Sequence, residues 1–302
     1  TLAPKTTLEA RAEIWRVSVR PAIWAAFCQR DDRPEYVPGR LAITEAFHRE
    51  GVEVLPQISC RPLTMDFTMK NPYPFEGMPA WQAVMKEPES RWLHVYGDPA
   101  FRSALKADLD ARRFAVFRGR WDLVQVLRTH RPEHKPLEGR SLADLARETG
   151  KHPVDAWLDL VTADGLDVEF LAGLLNTDDT VVGDLIVHPL TLITLSDAGA
   201  HLSLMCDAGY CSTLLGKWVR GRERLTLEAA VKRLTDDPAR AYRIPQRGRL
   251  QPGYWADVAI FDPATVDALP VEWVTDLPGG EGRFVSRPRG VEGGLVGQVG
   301  LA

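Results

Sequence analysis

The chain has 302 residues, enough for one large α/β domain or for a domain with a small appendage. Its formal net charge of −4 and scattered basic residues exclude a nucleic-acid footprint; even the densest basic stretch, 217–224, is short and interrupted by Glu223. No apolar stretch approaches the roughly 20 residues that a bilayer requires, and the run 185–195 is broken by His188 and Pro189. The start, Thr1-Leu2-Ala3-Pro4-Lys5, has no apolar leader core, so a cytoplasmic location is expected. Four cysteines, Cys28, Cys60, Cys206 and Cys211, make neither a disulfide framework nor a zinc ribbon and are expected to be small buried hydrophobes. The start at Thr1 and the glycine-rich end, residues 290–297, suggest a partial chain.

In chain order, residues 22–28 form a short apolar run suited to a buried strand. Residues 40–50 place Leu41, Ile43, Ala46 and Phe47 on one side of a helix that Gly51 stops, and residues 52–59 return as a strand. Such a strand–helix–strand unit builds parallel sheets. Residues 61–79 read as a long functional loop. Helices follow at 99–110 behind an Asp98 cap, at 141–149 behind Ser141 with Asp144 three residues on, and at 153–164. Residues 167–175 read as an extension of this helical region. Residues 190–195 are β-rich and end directly in Ser196-Asp197. Helices are expected at 226–234, behind Thr226, and from Asp237. After Arg247 the pattern changes to turns and an apolar strand at 255–261. The domain boundaries expected are 1–247 for the main α/β body and 248–302 for a small β segment.

Asp197 is the leading catalytic candidate. A carboxylate at the C-terminal end of a buried strand is where α/β folds place chemistry, and there it can ligate a metal or act as a general base. His201 follows on a Gly/Ala-rich turn. By spacing alone, Asp197 as a turn cap and His201 as a surface histidine remain open.

The stretch from His188 through Ser196-Asp197-Ala198-Gly199-Ala200-His201 resembles the last barrel strand of the amidohydrolase superfamily, in its N-acyl-D-amino-acid deacylase (D-aminoacylase)-like branch. The tail from Gly248-Arg249-Leu250-Gln251-Pro252-Gly253 to Asp262-Pro263 resembles the segment in which such chains leave the barrel for a small β-sandwich; the runs 225–231, 238–240 and 276–280 fit as well. The resemblance covers residues 141–292 well and the first 140 less securely. It implies a partial (β/α)8 barrel of the TIM type over 1–247, an incomplete β-sandwich segment over 248–302, and a metal-dependent hydrolase cleaving a linear amide C–N bond, an N-acyl-D-amino acid or a related N-acyl compound being the substrate. It also implies one or two zinc ions, with Asp197 both binding metal and shuttling a proton from water to the leaving amine.

The departures are equally plain. None of the seven histidines forms the His-x-His of the family's first strand, and His130 and His134 are separated by Arg131 and Pro132, which does not suit a helical zinc pair. Where the family presents histidines after its fifth and sixth strands, this chain offers Gln29 and Gln57, poor zinc ligands that are expected to contact substrate instead. Arg61 is the candidate clamp for a substrate carboxylate. Asp207 and Tyr210 are pocket or loop-packing residues, and Thr213 stands where the branch often has an arginine of a Phe-Pro-Arg run. His188 is expected to be structural. The alternatives are a cyclic-amide hydrolase resembling dihydropyrimidinases and a non-catalytic fragment lacking the metal-binding half. A small molecule is the expected partner, with nucleic acid and membrane excluded and a homo-oligomer compatible.

Overall fold

A computed structural model describes residues 6–111, 116–196, 198 and 208–296. In chain order its strands are β1 (Ala22–Trp24), β2 (Val54–Ile58), β3 (Leu63–Thr68), β4 (Val124–Arg128), β5 (Glu169–Leu175), β6 (Leu192–Ile193), β7 (Val258–Phe261), β8 (Asp267–Ala268), β9 (Glu272–Val274), β10 (Arg283–Val285), β11 (Pro288–Arg289) and β12 (Val291–Leu295). They fall into two compact units, one of residues up to Leu63 and from Leu175 onward, the other spanning Thr64–Leu174.

In the first unit the expected strand–helix–strand is present as β1, the helix Tyr36–Arg49 and β2, with the strands parallel and Ala22 opposite Val54. The helix stops at Gly51, whose φ of +77° is a conformation that side chains resist. Gly51 N donates to His48 O at 2.9 Å and Val52 N to Phe47 O at 2.9 Å. These two bonds close a Schellman cap that turns the chain directly into β2. β6 adds on the other side of β2, again parallel, with Gln57 opposite Leu192, so the order is β1-β2-β6. Both faces of this sheet are covered. Ala22, Trp24, Val54, Ile58 and Ile193 share one core with Leu8 and Ala12 of the helix Leu8–Ser18, Val182, Leu185 and Ile186 of the helix Asp179–Val187, and Trp218. The apolar run before His188 is therefore a helix, capped by Asp178, whose carboxylate accepts from Thr180 N and Val181 N.

The second unit holds the sheet β3-β5-β4, in which β4 and β5 are antiparallel with Val126 opposite Phe170. The expected extension of the helical region over 167–175 is thus wrong: Glu169–Leu175 is a strand. Its leucines and alanine favour a helix intrinsically, but pairing with β4 and burial of Phe170, Ala172 and Leu174 override that preference. The segment 61–79 likewise contains β3 and is not a continuous loop. Behind the sheet lies an aromatic core in which Phe75 and Trp157 rings are 4.4 Å apart and Trp81 stacks on Trp157 at 5.6 Å. The helices Pro99–Asp110, Leu142–Thr149 and Pro153–Asp164 form where expected, with the side chains of Asp98 and Ser141 accepting from Ala100 N and Asp144 N.

The described strands make a mixed α/β fold, and their order does not close a (β/α)8 barrel. Beyond Gly248 the strands pair antiparallel two by two, β7 with β12, β8 with β11 and β9 with β10. Among the described residues no helix is long and apolar enough to cross a membrane.

Candidate active site

Three parallel strands bring their C-terminal ends to one edge of the sheet, and the chain keeps its pairing just beyond them. Phe27 N donates to Gln57 O at 3.0 Å, and Leu195 N to Ile58 O at 3.1 Å. The segments leaving β1, β2 and β6, which carry Gln29, Arg61 and Ser196, therefore emerge side by side. β6 and its extension are described to within two residues of Asp197. Asp197 and His201 themselves, with Cys206 and Asp207, lie outside the described residues.

Gln57 is buried in β2, and its amide nitrogen donates to Thr194 Oγ1 at 3.0 Å and to Tyr242 Oη at 2.7 Å, which ties β2 to β6 and to the helix Asp236–Ala241. Gln29 is buried too, and its amide serves the neighbouring loop. Gln29 Oε1 accepts from Thr177 N at 2.9 Å and Asp178 N at 3.3 Å, while Nε2 donates to Asp31 Oδ1 at 2.6 Å. The two strand-end glutamines thus arrive near one edge, but each spends its amide on the scaffold. Arg61 is half-buried and donates through Nη1 to Ala208 O, which joins the exit of β2 to the segment leading into the helix Tyr210–Thr213.

One residue that organises this edge was not anticipated. Asn176, directly after β5, is 1% exposed and adopts a left-handed φ of 56°. Its Oδ1 accepts from Gln29 N at 2.7 Å, and its Nδ2 donates to Ser59 O at 3.3 Å and Arg61 O at 3.4 Å. One side chain therefore fixes the exits of β1 and β2 relative to each other. The signal available in the sequence was an Asn tolerant of left-handed backbone at the end of an apolar run.

Cys60, just before Arg61, is fully buried; its Sγ donates to Tyr210 O at 3.1 Å, and burial pushes its pKa up to about 12. A neutral thiol in that setting is neither a nucleophile nor a metal ligand. Cys28 is buried as expected, whereas Cys211 is exposed, contrary to the expectation. His188 is structural as expected: Nε2 lies 3.1 Å from Glu45 Oε1, and Nδ1 accepts from Leu190 N. His134 Nδ1 lies 2.7 Å from Asp164 Oδ1 and His130 Nε2 3.0 Å from Asp167 O, so both are tied to the segment that leads from the helix Pro153–Asp164 into β5. Among the described residues no group of three or more His, Cys, Asp and Glu side chains is placed to hold a metal ion. The amides and hydroxyls at the sheet edge do not fit zinc, which selects imidazole, thiolate or carboxylate.

Residues 73–275 match the Amidohydrolase family. The chain belongs to that family. Among amidohydrolase relatives, it is 35% identical over 137 residues to the N-acyl-D-glutamate deacylase of Alcaligenes xylosoxydans xylosoxydans, a match covering 44% of this chain and 26% of that protein. It is 32% identical over 150 residues to the D-aminoacylase of the same organism, covering 48% of this chain and 29% of the other. The fold resembles the crystal structure of N-acyl-D-glutamate deacylase from Bordetella bronchiseptica, determined with zinc and a phosphonate inhibitor, with a TM-score of 0.53 and 21% identity over 98% of this chain and 50% of that one. The chain thus spans between about a quarter and a half of the length of these relatives.

Proposed function

We propose that this chain belongs to a hydrolase that cleaves the linear amide C–N bond of an N-acyl-D-amino acid or a related N-acyl compound. The observation that carries the reading is the 35% identity to an N-acyl-D-glutamate deacylase, together with the family match over residues 73–275. The fold is read as the later part of a (β/α)8 barrel over 1–247 with a β segment over 248–302. Three parallel strands opening at one edge, with Asp197 two residues past the described extension of β6, support that reading.

Asp197 is assigned the proton transfers. Its ionised carboxylate takes a proton from the attacking water and returns it to the leaving nitrogen, so that the amine departs neutral. Arg61 is assigned the substrate carboxylate: with Nη1 held by Ala208 O, its remaining nitrogens offer a fork to an anion. His201 is assigned to substrate contact, while Gln57 and Gln29 act through the elements that their amides anchor. Zinc occurs in the Bordetella relative. Because the described residues of this chain do not fit a metal, no step here is routed through one.

The test is a turnover panel on the purified chain, with zinc supplied and metal content measured alongside. N-acetyl derivatives of D-glutamate, D-aspartate and D-leucine are compared with their L-enantiomers and with dihydrouracil. Release of free D-amino acid supports the reading. Opening of the cyclic amide alone, or no turnover of any N-acyl-D-amino acid, overturns it.

A further inference from the structure

We infer that a cavity of about 330 Å³ beside the helix Asp236–Ala241 is a binding site for a phosphate group. It is lined by Arg240, Arg243, Arg247 and Arg249, with Asp236 and Tyr254. The site is separate from the candidate active site. Arg243 Nη2 donates to Val19 O at 2.8 Å and lies 3.9 Å from Glu53, two residues that precede β1 and β2. The cavity therefore adjoins the N-terminal edge of the parallel sheet, whereas Gln29, Arg61 and Ser196 leave from the other edge.

The charge on the cavity wall favours an anion. Among the described residues, the four lining arginines pair with Asp236, Asp237, Asp257 and Glu53, while Lys232 and Arg233 share Asp236 and Asp237. Of these groups only the four arginines and Asp236 line the cavity, so its wall carries an excess of positive charge. A guanidinium offers five N–H donors on three nitrogens. The pairs above use two nitrogens of Arg249 and one each of Arg240, Arg243 and Arg247. Donors therefore remain for an oxyanion, which arginine binds through paired hydrogen bonds.

The backbone is shaped around the same cavity. Arg243, at a left-handed φ of 53°, caps the C-terminal end of the helix Asp236–Ala241, with its N donating to Arg240 O at 3.0 Å, and Gln246 follows at a φ of 56°. The loop is held there by Ile244 N donating to Ala239 O at 2.8 Å and Trp255 N to Gln246 O at 2.9 Å. Arg247 is further fixed over the Trp255 ring, 5.3 Å from its centroid. The cap and the loop after it thus bring several guanidinium groups to one cavity.

The experiment is calorimetric titration of the 302-residue protein with inorganic phosphate at constant ionic strength. One-site, saturable binding is expected. The Arg243→Gln/Arg247→Gln variant should bind about tenfold more weakly or worse, because charge-assisted hydrogen bonds are lost. These two arginines are chosen because Arg240 and Arg249 neutralise the buried Asp236, and removing them would threaten the fold. A control of equal charge loss, Arg91→Gln/Arg147→Gln, should bind as the unmodified protein does. Should the double variant fail to fold, Arg243→Gln and Arg247→Gln are titrated singly, each with weaker binding expected. No saturable heat with phosphate, equal weakening in the control, or tighter binding of succinate than of phosphate would overturn the assignment.

Discussion

Replacing Asn176 with Ala should loosen the edge where the candidate active site is built, and the structure sets the size of the effect. The substitution leaves the Gln29 N–H without its acceptor at 2.7 Å and the carbonyls of Ser59 and Arg61 without their donor, in a setting where Asn176 is 1% exposed. An unsatisfied buried amide costs about 1 to 3 kcal/mol. Alanine is also less tolerant than asparagine of a φ of 56°, for about 1 kcal/mol more. The expected loss is therefore about 2 to 4 kcal/mol of stability. Asn176→Gly loses the same side-chain bonds but accepts the backbone, and should be less destabilised than Asn176→Ala by about 1 kcal/mol. Urea denaturation, with midpoint and slope fitted separately, reads both differences. An Asn176→Ala midpoint equal to that of the unmodified protein, or a glycine variant weaker than the alanine one, would refute the clamp.

Two further outcomes follow from the same kind of reasoning. Burial in β3, with Glu169 adding negative charge nearby, pushes the carboxyl of Asp66 up to about 7. The folded state therefore holds a proton that the unfolded chain gives up near the ordinary aspartate value, so this group makes stability fall as pH rises from about 4 to 7. Asp66→Asn should flatten that slope and raise stability above neutrality, as read by urea denaturation at several pH values; an unchanged slope contradicts it. Gly248→Ala would place a Cβ 2.7 Å from Ala239 Cβ and 2.8 Å from Thr235 O at a φ of +82°. A loss of about 2 to 4 kcal/mol is expected from overpacking and backbone strain together, and a denaturation midpoint matching that of the unmodified protein would show that the loop shifts freely.

The elements most legible in the sequence were those with local signatures. Asp98-Pro99, Ser141 and Thr226 announce helix starts that need no distant partner, and Gly51 announces a stop. The run 190–195 pointed to β6 and its position before Asp197. β5 was misread because its residues favour a helix until β4 pairs with them, and that pairing joins segments more than 40 residues apart. The site was less legible for the same reason. Gln29 was identified as a strand-end amide, but nothing local shows that Thr177 and Asp178, more than 140 residues later, would occupy its oxygen. Asn176 gained its importance only when Gln29, Ser59 and Arg61, all more than 100 residues earlier, were brought to it.

The most direct test of the account is the turnover number of Asp197→Asn beside that of the unmodified protein, on whichever N-acyl-D-amino acid is cleaved fastest. Asparagine keeps the size of the side chain and cannot accept the proton, so the account predicts a loss of at least about 100-fold in kcat with an unchanged denaturation midpoint. Undiminished turnover in the folded variant would contradict the assignment of the proton transfers to Asp197.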